Sequence, residues 1–275
     1  MARTDRQGLR TRMAVAASAA AVAATIGGVT TLVASGGPAQ GGAASGRQVS
    51  PPQGAPAQQD PVHGGAPPEA RIPDGIAHAS ESGGSAVNIT IDDGPDPAWT
   101  PRILDVLGKH DVKATFCMVG PRAAAHPDLV KQVVAGGHRL CDHTVDHDTA
   151  MAKKPAAYQE KQILDAKKMI EDAAGGAAEV EYYRAPGGAF TPDSRRTAAA
   201  HGMRPLGWNV DTKDFQKPGV AAIVNTVKKE LGNGPTVLFH DGGGNRGQTV
   251  EALDQVLSWL REQDRPTGFP VRTTP

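Results

Sequence analysis

Two periods alternate along the chain from Val87 onward. Val87–Ile91 is a short apolar, β-branched run and reads as a strand. Thr100–His110 then repeats apolar residues at helical spacing, through Ile103, Leu104 and Leu107. The alternation continues with strands at Ala114–Val119, Arg139–Asp142, Tyr182–Arg184, Arg204–Val210 and Thr236–His240. Helical patterns fall at Pro127–Ala135, Pro155–Ala174, Pro192–His201, Val220–Leu231 and Val250–Gln263. Glycine pairs stop two of these helices, Gly136-Gly137 and Gly175-Gly176. The longest carries Ile163, Ala166, Met169 and Ile170 on one face.

A βαβα order predicts one α/β domain around a parallel sheet. About seven strands favour an irregular (β/α)7-type barrel over a regular eightfold one, with an open doubly wound sheet as the alternative. The chemically suggestive residues fall at strand ends, where barrels place their active sites.

Before Val87 the pattern is different. Arg3, Arg6, Arg10 and Arg12 give a positive start, and Met13–Val33 is Ala- and Val-rich without charge. Val33-Ala34-Ser35 fits a cleavage site, so 1–35 reads as a signal peptide, with an uncleaved N-terminal anchor as the alternative. No cysteine follows the run, which argues against a lipoprotein, and the arginines are not paired as in a twin-arginine signal. Gly, Ala, Pro, Gln and Ser dominate Gly36–Ser85, a disordered linker or wall spacer. Residues 86–275 are left as the folded domain. The expected location is outside the cytoplasm, secreted or wall-associated, with contact to a membrane only if the first segment stays attached.

Composition adds little except by exclusion. Twenty-nine basic and 29 acidic residues cancel, which gives no support for a nucleic-acid partner. Cys117 and Cys141 are the only cysteines, in two predicted strands. An exported chain with two cysteines suggests a disulfide, the alternative being two buried free thiols.

Five segments carry chemistry. Ile89-Thr90-Ile91-Asp92-Asp93-Gly94-Pro95 is a strand that stops at two adjacent carboxylates, so one could hold a metal while the other stays free as a base. His143-Thr144-Val145-Asp146-His147 places histidines at i and i+4, on one face if the segment is helical. With Asp93 they supply two nitrogens and a carboxylate, the open set of a catalytic metal. Solvated loop histidines are the plain alternative. Arg184-Ala185-Pro186-Gly187-Gly188 is either a turn or an arginine holding Asp92 beside exposed backbone N–H groups. Trp208-Asn209-Val210-Asp211-Thr212-Lys213-Asp214-Phe215 offers two carboxylates and two aromatic rings. Val237-Leu238-Phe239-His240-Asp241 ends an apolar strand in a histidine that Asp211 is expected to orient for acid catalysis.

In this order the five segments resemble the polysaccharide deacetylase family, the NodB homology domain or carbohydrate esterase family 4, over about Ala86 to Gly268. The resemblance implies a deformed (β/α) barrel and hydrolysis of N-acetyl, sometimes O-acetyl, groups on a polysaccharide or oligosaccharide. It implies one divalent metal, commonly zinc, on Asp93, His143 and His147, with cobalt or nickel as substitutes. Carried over, Asp92 is the base held by Arg184, and His240 is the acid paired with Asp211. The Gly187 backbone helps hold the oxyanion, and Leu238 lines the pocket for the acetyl methyl. The family often has Tyr where Gly187 stands and Trp where Phe215 stands; the latter change weakens one wall, for which Trp208 or Phe239 could compensate. An acetylxylan esterase and a non-catalytic glycan binder are the rival readings, and the intact acid–base set argues against the binder. The chain is expected to act as a monomer.

Overall fold

The computed structural model describes residues 71–273. The expected signal segment, 1–35, and the linker as far as residue 70 lie outside them. Among the described residues no helix is long and apolar enough to cross a membrane.

Among the described residues eight strands form one sheet, and every pairing between them is parallel. They are β1 (Val87–Asp92), β2 (Thr115–Met118), β3 (Arg139–Asp142), β4 (Val180–Tyr183), β5 (Arg204–Pro205), β6 (Val210–Asp211), β7 (Thr236–His240) and β8 (Thr267–Gly268). The order across the sheet is β5-β4-β3-β2-β1-β7-β6, with β8 paired to the start of β1. Among the described residues seven α-helices accompany it: α1 (Thr100–Lys109), α2 (Gly120–Ala125), α3 (Pro127–Ala135), α4 (Ala156–Ala174), α5 (Pro192–Ala200), α6 (Val220–Glu230) and α7 (Gly247–Glu262).

The sequence reading makes Arg204–Val210 one strand. The structure divides it between the two edges of the sheet. β5 pairs with β4, while β6, four residues later, pairs with β7. The sheet must therefore curl until its edges nearly meet, and Leu206–Asn209 spans the gap. This is the irregular barrel that the element order implies. Ala77 bridges to Leu206 within the gap and is 2% exposed, so the packed chain begins ahead of the expected boundary at Ala86.

Period-two alternation explains the two faces of β1. Val87, Ile89 and Ile91 belong to the large apolar cluster with Ile103 and Leu107 of α1 and Leu253 and Val256 of α7. Each is fully buried, and truncating one to alanine would cost about 2–5 kcal/mol. Asn88, Thr90 and Asp92 occupy the other face, inside the curl. There the Asn88 amide donates to Thr236 Oγ1 at 2.9 Å and Thr90 Oγ1 donates to the Val237 carbonyl at 2.8 Å. A second, smaller cluster, Ala77, Cys117, Cys141, Tyr182 and Leu206, fills the same interior. Cys117 and Cys141 are register partners on β2 and β3, and the structure joins them as a disulfide.

Strand register aligns the C-terminal ends. Asp92 lies opposite Cys117 on one side and His240 on the other, Met118 opposite Asp142, and Asp142 opposite Tyr183. The residues at or just after these positions, Asp92, Asp93, His143, Arg184 and His240, therefore share one rim.

Candidate active site

The rim opens into a cavity of about 700 Å³ lined by Asp92, Asp93, His143, His147, Gly187, Trp208, Leu238 and His240, among others. Alternation alone would turn Asp93 away from Asp92. Asp93 instead leaves the strand at φ 77°, in the left-handed region, so both carboxylates reach the mouth. The Asp93 amide is secured by the Cys117 carbonyl at 3.1 Å.

Asp92 is 2% exposed, and its Oδ1 accepts from Arg184 Nη1 at 2.6 Å. Arg184 is fully buried inside the curl, which is acceptable only because it is paired with Asp92 and four of its five N–H groups are hydrogen-bonded. Nη1 also reaches Thr90 Oγ1 at 2.9 Å, Nε the Leu206 carbonyl at 3.2 Å, and Nη2 the Gly207 carbonyl at 2.9 Å. Those two carbonyls belong to the span across the sheet gap. One guanidinium thus holds the carboxylate and closes the barrel.

The two histidines meet by a different route from the helical one expected. His143 follows β3, and the chain after it is an irregular loop. Thr144 and His147 take φ 69° and 52°. Such strain costs roughly 1–3 kcal/mol per residue and persists only where its surroundings enforce it. Here Asp142 Oδ1 accepts the Thr144 amide at 2.6 Å and Thr144 Oγ1 accepts the His147 amide at 3.3 Å. The imidazole centroids end 4.9 Å apart.

Donor atoms of Asp93, His143 and His147 all lie within 4.8 Å of one another. The chemistry of the set fits a divalent cation. His143 Nδ1 is 2.7 Å from the Arg184 carbonyl, which can only accept, so Nδ1 carries the proton and the Nε2 lone pair faces Asp93 at 3.5 Å. Burial holds the His143 pKa below its usual value, which keeps the imidazole neutral. Asp93 Oδ1 is buried without a well-aligned hydrogen bond, although His147 Nε2 is 3.0 Å away. Burial raises the Asp93 pKa, but the neighbouring His147 and His143 more than offset this, and the carboxyl stays well below the usual range.

On the strand next to Asp92, His240 is 9% exposed and bonded to Asp214, not to the expected Asp211. His240 Nδ1 is 2.7 Å from Asp214 Oδ1, and the His240 amide donates to Oδ2 at 3.0 Å. Thr212 and Thr249 hydroxyls complete the carboxylate's shell at 3.1 and 2.8 Å. Register explains the correction. Asp211 pairs with Leu238, two residues short of His240. The chain then turns through Lys213 at φ 54° and brings Asp214, 1% exposed, behind the imidazole. Asp211 is left at the rim, where it accepts the Lys213 amide at 3.0 Å and binds its ammonium at 2.6 Å. Burial pulls the His240 pKa down, but Asp214 outweighs it and the imidazole titrates above its usual value.

Leu238 lines the cavity beside His240, and Phe215, 41% exposed, meets the His240 ring edge-on at 5.3 Å. Trp208 lies over the Arg184 guanidinium at 5.6 Å. Gly187 takes φ 59°, and a side chain there would meet Thr149 at 3.3 Å, so glycine suits this rim better than a larger residue. The sequence reading missed Arg122, Arg246 and Lys213 on the cavity wall. Lys213 and Asp214 stood inside a segment already singled out; Arg122 and Arg246 lie in a helix and at a loop end with no motif to mark them.

The chain as a whole is similar to known proteins. The polysaccharide deacetylase family model matches residues 79–206. A chitooligosaccharide deacetylase of Sinorhizobium fredii is 36% identical over 208 residues, 71% of this chain and 93% of that one. A peptidoglycan-N-acetylglucosamine deacetylase of Bacillus cereus is 41% identical over 179 residues, 64% of this chain and 82% of that one. Among solved structures, the Bc1960 peptidoglycan N-acetylglucosamine deacetylase in complex with 4-naphthalen-1-yl-N-oxidanyl-benzamide superposes with a TM-score of 0.66 at 29% identity, covering 70% of this chain and 90% of that one. The chain belongs to the polysaccharide deacetylase family.

Proposed function

We propose that the protein is a metal-dependent hydrolase that removes N-acetyl groups from a glycan of the chitooligosaccharide or peptidoglycan type. The observation that carries this reading is the meeting at one mouth of three elements. They are the Asp93–His143–His147 donor set, the Asp92–Arg184 pair and the His240–Asp214 pair. Relatives named as deacetylases of both glycan types support it.

Asp93, His143 and His147 would hold the divalent ion, and two imidazoles with one carboxylate suit zinc. When bound, such an ion polarises a carbonyl and lowers the pKa of water. The remaining work falls to the protein. Asp92, fixed by Arg184, takes a proton from the attacking water. The Gly187 backbone faces the developing oxyanion, and Leu238 packs on the acetyl methyl. His240, oriented and kept protonated by Asp214, donates to the departing amine from Nε2, without which the tetrahedral adduct would return to amide.

Export is part of the proposal. A disulfide between Cys117 and Cys141 is suited to an oxidising compartment and supports it. Acetate release is the test, with chitooligosaccharide, peptidoglycan and acetylxylan as substrates and zinc supplied or removed. Release from an N-acetylated glycan that is lost on chelation is expected. Release from acetylxylan alone would make the protein an O-acetyl esterase, and metal-independent release would overturn the site.

A further inference from the structure

Two arginines on the cavity wall have no role in the chemistry above. Arg246, at the N-terminal end of α7, is 3% exposed. Its Nε donates to the Gly242 carbonyl at 2.6 Å. Arg122, on α2, is half-buried, and its Nη1 donates to the Asp93 carbonyl at 2.8 Å. Each spends one nitrogen on a backbone oxygen. Neither makes an ion pair among the described residues, whereas the other cationic groups at this mouth do. Arg184 has Asp92 at 2.6 Å, Lys213 has Asp211 at 2.6 Å and His240 has Asp214 at 2.7 Å.

A buried guanidinium without a counter-charge is costly unless something pairs with it. The backbone between the two arginines passes close to both. A side chain at Gly242 would stand 2.3 Å from Arg122 Nη1 and 2.3 Å from the Asp93 carbonyl, and one at Gly243 3.1 Å from Arg246 Nη2 and 3.4 Å from Asp93 Oδ2. Two successive glycines therefore let the main chain, Asp93 and both guanidinium groups share one corner of the mouth. The start of the 16-residue α7 adds its positive dipole end to the same corner. A planar fork of N–H donors matches a carboxylate in shape as well as charge. The carboxylates on this wall are engaged elsewhere: Asp92 by Arg184 at 2.6 Å, Asp93 beside His147 at 3.0 Å, Asp211 by Lys213 at 2.6 Å, and Asp146 by Gln162 at 2.7 Å and Tyr158 at 3.1 Å.

We propose that Arg122 and Arg246 form an anion subsite that binds a carboxylate carried by the glycan, next to the acetamido sugar being cut. The inference rests on the deacetylase reading and names the substrate class within it. It makes the preferred substrate an acidic N-acetylated glycan rather than a neutral one. A free anion, such as the acetate produced, shares the chemistry and is separated by the test.

The test compares two tetrasaccharides of alternating N-acetylglucosamine and N-acetylmuramic acid, one with free lactyl carboxylates and one with these converted to primary amides. Neutral chitotetraose serves as the reference for catalysis. In the wild-type enzyme kcat/KM for the acid form should exceed that for the amide form by roughly tenfold to a hundredfold, the worth of a charge-assisted hydrogen bond. The preference should shrink as salt is raised. Arg246→Gln and Arg122→Gln should each lower the acid-to-amide ratio towards one, and Arg246→Lys should restore part of it. The ratio in the wild-type enzyme needs no variant, so a variant that misfolds does not remove the test. Equal rates on acid and amide forms, or a preference that both variants retain, would overturn the proposal. If the ratio is one but sodium acetate inhibits through Arg246, the site takes the free product and the glycan assignment is wrong. Failure to release acetate from any of the three, chitotetraose included, would count instead against the deacetylase reading.

Discussion

His240 and Asp214 are joined twice, through imidazole Nδ1 at 2.7 Å and through the His240 backbone amide at 3.0 Å. The first bond fixes the tautomer and the second fixes where the ring hangs. Asp214→Asn should therefore behave like His240→Ala in milder form, whereas Asp211→Asn should change little. His240→Ala should lose ~10²-fold or more on an N-acetyl sugar. On a nitrophenyl acetate, whose leaving group departs without a proton, the loss should be far smaller. Equal losses on both substrates would show that His240 does not protonate the leaving group. Because Asp214 holds the His240 pKa up, its removal should move the alkaline limb of the pH–rate profile to lower pH.

Asp92 and Arg184 make a buried pair, and the two partners should fail differently. Asp92→Asn should abolish turnover on both amide and ester while the bound metal remains, because the new amide accepts no proton. Arg184→Met leaves the Asp92 carboxylate and the Leu206 and Gly207 carbonyls without their donor. A loss of about 3–5 kcal/mol in urea unfolding is expected, as for other broken buried pairs. A loss within error of zero would mean that water replaces the guanidinium.

The donor set predicts one divalent ion per chain. His147→Ala should lower the metal content of purified protein measured by elemental analysis, and zinc affinity should fall with pH as the imidazoles protonate. Unchanged stoichiometry in the variant would exclude His147 as a ligand.

Asp241 offers a stability test. It is fully buried, with Thr100 Oγ1 donating to its Oδ2 at 2.6 Å and Oδ1 unpartnered, and burial pushes its pKa from 3.8 up to about 7. The folded protein thus holds this proton longer than the unfolded chain does. Its stabilising contribution is complete below the unfolded value of 3.8 and is lost as pH rises towards about 7. Thermal unfolding of metal-free wild type and Asp241→Asn across that window should show a shallower decline for the variant. Parallel curves would mean that Asp241 ionises normally in the fold.

Much of the site could be read in the chain because its residues end strands. Asp92, His143, Arg184 and His240 each stand at or just past a break in an apolar run, and a parallel sheet aligns those breaks. Two errors came from stretches where local pattern carries no depth. Nothing in Asp211-Thr212-Lys213-Asp214 says which carboxylate lies behind an imidazole 26 residues on; Lys213 in a left-handed conformation decides it. The spacing of His143 and His147 suits a helix, but the chain joins them by bending Thr144 and His147 into unfavourable φ, a cost repaid only by contacts distant in sequence. Arg122 and Arg246 were invisible for the opposite reason: an arginine on an amphipathic helix or beside a glycine-rich loop looks like ordinary surface.

The span from Leu206 to Asn209 also sets the gauge of the mouth. A chain stretched from Pro205 to Val210 reaches at most about 18 Å, so the two edges of the sheet cannot drift further apart than that tether allows. Arg184, which holds Asp92, donates to the tether's own carbonyls, and β6, the strand that the tether joins next, pairs with β7, which carries His240 beside Asp92. One inserted residue would carry those carbonyls off the guanidinium, which makes this the segment whose length, more than its composition, governs how firmly the base is held.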